Sequence, residues 1–234
     1  MIIFALITFV APHYNKAKKN ALLRFFQKDH FFVKTPWWLK IFYPDCVWQI
    51  KTGEKNLYLS FDDGPHPAVT PFVLNQLAQY NAKATFFCIG QNVQQYPEIY
   101  QQIINAGHST GNHTHRHVNG WKIPDKEYLE DIRIAATHIN SEIFRPPYGR
   151  MRKSQIRLMK ENFPSMKIVM WNILAGDWVP DLTPEKCWER IRSRISSGDI
   201  ILFHDSEKAF PRLEYVLPRL LTYFTERGYN FKSI

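Results

Sequence analysis

The chain is predicted to be an α/β protein: an incomplete parallel barrel of seven strand and helix units behind a short N-terminal extension. Three observations lead there. From about residue 56, short runs rich in aromatic and β-branched residues alternate with longer segments of helical period. Strict alternation of this kind implies a parallel sheet with crossover helices. Residues 56–234 also fall short of the ~250 that an eight-unit barrel usually takes. A flat doubly wound sheet is the structural alternative, but no GxGxxG or Walker-type loop follows the first strand.

In order, strands are expected near 57–61, 84–89, 108–112, 143–146, 167–172, 200–204 and 229–232, and helices near 69–80, 97–106, 125–139, 153–162, 184–196 and 211–227. Thr183 before Pro184 reads as an N-cap with proline at the first helical position. Gly107, Gly198 and Gly228 stand just past expected helix ends, where a left-handed cap wants glycine.

The 234 residues are 45% apolar, ample for a core and incompatible with a disordered or collagen-like chain. Aromatics reach 15%, more than a minimal core needs, so some are expected to line a ligand surface. Thirty Lys and Arg against twenty-one Asp and Glu leave +9, a surface that attracts anionic matter. Cys46, Cys88 and Cys187 have no CxxC or Cys/His metal spacing and read as ordinary buried thiols.

Residues 1–51 form the basic, aromatic extension and 52–234 the remaining domain. Met1 to Ala11 are almost wholly apolar yet too few to span ~30 Å of hydrocarbon, so they are an anchor remnant or a fold-packed strand. The first fifty residues carry net +5, with Phe25, Phe26, Phe31, Phe32, Trp37, Trp38, Phe42, Tyr43 and Trp48 interleaved. Such a mixture suits peripheral contact with a membrane interface, or else covers one end of the following domain. Pro36 and Pro44 exclude one long amphipathic helix.

Chemistry in a parallel barrel collects where strands end, and the polar clusters of this chain fall there. The first strand runs into Ser60-Phe61-Asp62-Asp63-Gly64-Pro65. Its adjacent carboxylates point opposite ways on an extended chain, and a turn alone needs only one of them. After the third strand, His113 and His117 stand four apart in His113-Thr114-His115-Arg116-His117 and would share a face if that stretch turned helically. Two imidazoles and one carboxylate leave positions open on a metal, as in a hydrolytic zinc site or a non-haem iron oxygenase. Further strand ends add Arg145-Pro146-Pro147-Tyr148-Gly149, Asp177-Trp178 and Leu202-Phe203-His204-Asp205. Each has a bland structural reading, but five clusters at five strand ends do not scatter as accidents would.

In that order the clusters resemble the motifs of the polysaccharide deacetylases, carbohydrate esterase family 4 or the NodB-homology domain, from about Leu57 to the C-terminus: SFDDGP, an H[ST]xxH, RPPYG, DW and LxH. The resemblance implies a distorted (β/α)7 barrel and a divalent metal, Zn before Co or Mn, held by Asp63, His113 and His117. It implies Asp62 as general base oriented by Arg145, and His204 as general acid oriented by Asp177. Trp178 and Leu202 would wall the acetyl pocket beside Pro147, and the Tyr148 N–H would bind the oxyanion. Residues 52–234 would be the catalytic domain. One position departs: many relatives carry an Asp three residues before the DW aspartate, where this chain has Leu174.

The implied activity is removal of N-acetyl groups from N-acetylglucosamine-containing glycans, peptidoglycan or chitin-like, with release of acetate. The alternative is a catalytically silent carbohydrate-binding barrel, which would need neither Asp62 nor His204. An iron oxygenase usually has a close HxD pair, absent here. No nucleic-acid motif accompanies the basic run Arg150, Arg152, Lys153, Arg157 and Lys160, so nucleic acid is not expected as a partner. That surface is expected to help the approach to an anionic glycan or membrane. A monomer is expected, and the location leans toward the bacterial cell envelope.

Overall fold

The structure, a computed structural model, describes residues 31–234. Expectations for residues 1–11, Phe25 and Phe26 lie outside the described residues. Val33–Ile234 form one compact unit.

Its centre is a parallel sheet. In chain order the elements are α1 (Trp37–Phe42), β1 (Cys46–Val47), β2 (Asn56–Asp62), α2 (Val69–Gln79), β3 (Ala84–Cys88), α3 (Gly90–Gln95), α4 (Pro97–Asn105), β4 (Ser109–Asn112), α5 (Asp125–Ala136), β5 (Ile143–Phe144), a 3-10 turn (Pro147–Gly149), α6 (Lys153–Asn162), β6 (Lys167–Val169), β7 (Ile173–Leu174), α7 (Pro184–Arg192), β8 (Ile200–His204), α8 (Phe210–Thr225) and β9 (Asn230–Phe231). Strands pair in the order β1-β6-β5-β4-β3-β2-β8-β7, with β9 joining the start of β2. Every ladder is parallel, giving the curled, distorted barrel that the alternation predicted.

All seven residues of β2 are buried, because helices cover one face and the barrel interior the other. Alternation sorts them. Leu57, Leu59 and Phe61 face one way, and Phe61 stacks on Phe86 at 5.1 Å and on Phe203 at 6.0 Å. Tyr58, Ser60 and Asp62 face the other, where Tyr58 packs with Phe87, Val169 and Ile200. The same interior face thus ends in a carboxylate.

The Thr183 cap forms: its hydroxyl accepts the Lys186 N–H at 3.3 Å. Gly107 and Gly228 take the left-handed conformation just beyond α4 and α8. The expected strand 167–172 stops at Val169, and β7 begins only at Ile173. The carbonyls between are taken elsewhere: Met170 by Arg145 Nη2 at 2.9 Å and Trp171 by the Thr35 hydroxyl at 2.8 Å. The helix expected to reach residue 196 ends at Arg192, since Asp199 accepts the Ser196 N–H at 2.8 Å in a tight turn. From residues 33–51 come α1 and β1, and β1 forms the sheet edge against β6. Among the described residues no helix is long and apolar enough to cross a membrane.

Candidate active site

Five strand ends converge on one site. Asp62 is the last residue of β2, His113 follows β4, Arg145 follows β5, His204 ends β8, and Asp177 lies three residues beyond β7.

Ligand atoms of Asp63, His113 and His117 all lie within 4.8 Å of one another. Asp63 Oδ1 is 3.2 Å from His117 Nε2 and 3.7 Å from His113 Nε2. The two histidines do not share a helix face. The segment after β4 is a loop in which Thr114 and His117 adopt positive φ, and it is this reversal that brings the imidazole rings to 5.1 Å. Buried acceptors shape it: Asn112 Oδ1 takes the Thr114 N–H at 2.8 Å, and Asp131 Oδ1 takes the N–H groups of His115 at 2.7 Å and Arg116 at 2.8 Å. Asp63 itself sits at φ 80°, a region that Asp enters more readily than most residues.

The donor set suits a divalent cation. His113 Nδ1 donates to the Arg145 carbonyl at 2.7 Å, which fixes the tautomer and leaves the Nε2 lone pair turned toward Asp63. Burial, aided by neighbouring His117, lowers the His113 pKa to about 4 against the pull of Asp62 and Asp63, so the ring is neutral at pH 7. Burial would raise the Asp63 pKa, but the His117 hydrogen bond and the charges of His204, His117 and His113 hold it well below the carboxylate range. A carboxylate beside two imidazoles, one of them locked as a neutral base, is a ligand set for zinc-like ions.

Asp62 is held from behind. Arg145, fully buried, donates from Nη1 to Asp62 Oδ1 at 2.7 Å and to Ser60 Oγ at 2.9 Å. Its other donors reach the carbonyls of Val169 at 3.1 Å and Met170 at 2.9 Å, and its face covers the Phe87 ring at 3.9 Å. The cation is therefore satisfied on every side, as a buried guanidinium requires. The other oxygen, Oδ2, lies 3.8 Å from His113 Nε2.

Opposite, Asp177 and His204 form a second buried pair. His204 Nδ1 donates to Asp177 Oδ1 at 2.9 Å, and Nε2 has no hydrogen-bond partner among the described residues. Burial disfavours the imidazolium, but Asp177, with Asp63 and Asp62 beyond it, outweighs that and raises the pKa to about 9. Trp178 packs edge-on against the His204 ring at 5.1 Å. Leu202 is buried within β8, in register with Leu174 of β7. The aspartate that Leu174 replaces would thus have stood in a strand ladder beside Leu202.

Pro147 is buried at the start of the 3-10 turn, and Tyr148 within it adopts φ 61°. Its N–H donates no hydrogen bond among the described residues; the residue is 57% exposed, and its ring lies 4.6 Å from that of His117.

One residue had no role in the sequence reading. Asp205, fully buried, accepts the Gly64 N–H at 3.0 Å on Oδ1 and the Thr70 hydroxyl at 2.5 Å on Oδ2. It grips the turn that follows Asp63. The signal available was a second carboxylate directly after His204.

A polysaccharide deacetylase family model matches residues 49–162. A peptidoglycan-N-acetylglucosamine deacetylase of Bacillus cereus is 32% identical over 194 residues, covering 80% of this chain and 90% of that protein. A chitooligosaccharide deacetylase of Azorhizobium caulinodans is 34% identical over 165 residues, covering 67% of this chain and 77% of that one. Among solved structures, the Bc1960 peptidoglycan N-acetylglucosamine deacetylase superposes with a TM-score of 0.77 at 27% identity, covering 86% of this chain and 95% of that one.

Proposed function

We propose that this chain, which belongs to the polysaccharide deacetylase family, is a metal-dependent hydrolase that removes the N-acetyl group from N-acetylglucosamine units of peptidoglycan or chitin-like glycans, releasing acetate. The observation that carries the reading is the meeting of Asp63, His113 and His117 between two buried ion pairs, Asp62 with Arg145 and Asp177 with His204.

Asp63, His113 and His117 would hold the cation, zinc first, with cobalt or manganese as substitutes. Such an ion supplies Lewis acidity, lowering the pKa of a bound water to about 7 and polarising a carbonyl. The remaining work falls to the chain's own groups. Asp62, aimed by Arg145, accepts the proton of the attacking water. The unengaged Tyr148 N–H donates to the oxyanion that develops on the acetyl carbonyl. His204, charged at neutral pH and held through Nδ1 by Asp177, delivers a proton from Nε2 to the departing nitrogen. The C–N bond breaks as that proton arrives, leaving acetate and a free amine. Trp178, Leu202 and Pro147 form the apolar wall for the acetyl methyl.

The catalytic domain is residues 52–234, and every residue assigned a step lies within it. The protein acts as a monomer. Trp37, Ile41 and Phe42, exposed on and around α1 beside Lys40, support peripheral membrane contact by the extension.

Incubation of purified protein and Zn²⁺ or Co²⁺ with chitooligosaccharides and peptidoglycan fragments should release acetate, and Asp62→Asn should abolish release. If no acetylated sugar yields acetate and Asp62→Asn behaves as the parent does, the reading fails and a carbohydrate-binding barrel remains.

A further inference from the structure

Arg150 is a buried cation without an anion. It is 9% exposed, directly after the 3-10 turn that carries Tyr148. None of its side-chain N–H groups has a hydrogen-bond or ion-pair partner among the described residues, and its Nε is buried and unsatisfied. The other arginines withdrawn from solvent are compensated. Arg145 has Asp62, Ser60 and two carbonyls, and Arg212 donates to the Asp177 carbonyl at 2.8 Å. Arg150 has only ring faces, Trp121 at 5.2 Å and Tyr148 at 5.9 Å. Cation–π attraction returns part of what desolvation takes from a guanidinium, but it leaves the hydrogen-bonding fork unused.

The position of this cation is fixed by structure around it. Fully buried Gln155 donates to the Gly120 carbonyl at 2.7 Å and accepts the Arg152 N–H at 2.9 Å, tying the Trp121 loop to the Arg150 segment. The approach is tight enough that a Cβ on Gly120 would meet the Arg150 carbonyl at 2.6 Å. Nor does Arg150 belong to one solvated basic face. In the run from Arg150 to Lys160, Arg152 pairs with Asp125 and Lys160 with Asp45. The Tyr148 ring links this cation to the site, lying 5.9 Å from the Arg150 guanidinium and 4.6 Å from the His117 ring.

We infer that Arg150 is the carboxylate-binding element of a substrate subsite beside the acetamide centre, reading the sugar next to the one deacetylated. The inference rests on the deacetylase reading above. A planar fork flanked by two aromatic rings fits a carboxylate in bidentate fashion, and the rings fit the apolar faces of a sugar. Chitin offers no carboxylate. A peptidoglycan strand alternates N-acetylglucosamine with N-acetylmuramic acid, whose lactyl ether ends in a free carboxylate wherever no stem peptide is amide-linked to it. The substrate class selected is therefore the acidic, peptide-free, muramic-acid-containing glycan.

The test pairs a peptide-free peptidoglycan tetrasaccharide with the same tetrasaccharide reduced to lactyl alcohols, reading calorimetric affinity and acetate release separately. The parent protein should bind the carboxylate form at least about tenfold more tightly. Arg150→Met should bring the two forms within about twofold, and Arg150→Lys should keep a smaller, salt-sensitive preference. Arg150→Lys also serves if the methionine variant fails to fold: a preference as large as the parent's then counts against the guanidinium. Equal binding of the two forms by the parent, or an unreduced preference in Arg150→Met, overturns the inference while acetate release upholds the deacetylase reading. A carboxylate preference lost in Arg150→Met, without acetate from any glycan, sinks that reading and leaves the subsite standing.

Discussion

Asp177 grips His204 twice: Oδ1 accepts the imidazole Nδ1–H at 2.9 Å, and Oδ2 accepts the His204 backbone N–H at 2.7 Å. The carboxylate thereby fixes both the ring and the strand end that carries it. Arg212 secures the other side of the pair by donating to the Asp177 carbonyl at 2.8 Å.

The pair sets a pH limit. A histidine raised to about 9 is protonated throughout the neutral range, and its acid role is lost as pH rises through that value. The stability the ion pair contributes has the same sign, being complete below the ordinary histidine range and lost as pH climbs through about 9. The basic limb of kcat should therefore fall near pH 9. Asp177→Asn should lower kcat by about 10²–10⁴ and move that limb to lower pH. A pH–rate profile of both proteins checks this, and an unmoved limb would assign it to another group.

Asp205 should act on metal affinity without touching the metal. It holds the Gly64 N–H and the Thr70 hydroxyl, and Thr70 Oγ1 in turn accepts the His66 N–H at 2.8 Å, so the turn after Asp63 is braced at three points. Asp205→Ala should weaken Zn²⁺ binding by about 10–100-fold, the usual effect of removing a group that orients ligands. Gly64→Ala should do the same by forcing the turn away, since its Cβ would lie 2.1 Å from Asp205 Oδ2. Competition with a chromogenic chelator measures both.

Arg145 should be a stability residue as much as a functional one. Replacing it by Met leaves Asp62 buried without its counter-charge, a change that costs about 3–5 kcal/mol. Urea unfolding should show that loss. Asp62→Asn with Arg145→Met together should recover part of it, because the orphaned charge is then gone.

Metal removal gives the most direct reading of the Asp63, His113 and His117 cluster. Chelator-treated protein should lose acetate release and regain it with Zn²⁺ or Co²⁺. Asp63→Ala should bind no Zn²⁺ at micromolar concentration by equilibrium dialysis. The metal-free chain should also lose stability as pH falls from the ordinary histidine range toward about 4, because His113 must then be protonated against its burial. Acid unfolding of the parent and of His113→Gln distinguishes this contribution.

The sequence alone carried the parallel α/β architecture, since alternation of period-2 and period-3.6 runs is a local property and the crossovers follow from it. It also carried the chemical clusters, because a parallel barrel has one end where loops follow strands, and Asp62, His113, Arg145, Asp177 and His204 fall at that end in chain order. What it misread was local shape imposed from a distance. His113 and His117 meet through a reversal at Thr114 and His117 that Asn112 and Asp131 enforce, where spacing alone would unite them only on a helical turn. The short helix α3 escaped notice for a related reason: its first N–H groups, on Gly90 and Gln91, are satisfied by the carbonyls of Thr114 and His115 in another loop. The role of Asp205 and the isolation of Arg150 are likewise facts about neighbours far along the chain, 141 residues away for Gly64 and about thirty for Trp121. Periodicity records which face a residue belongs to, whereas the partner that satisfies a buried polar group is chosen only when the whole barrel has closed around it.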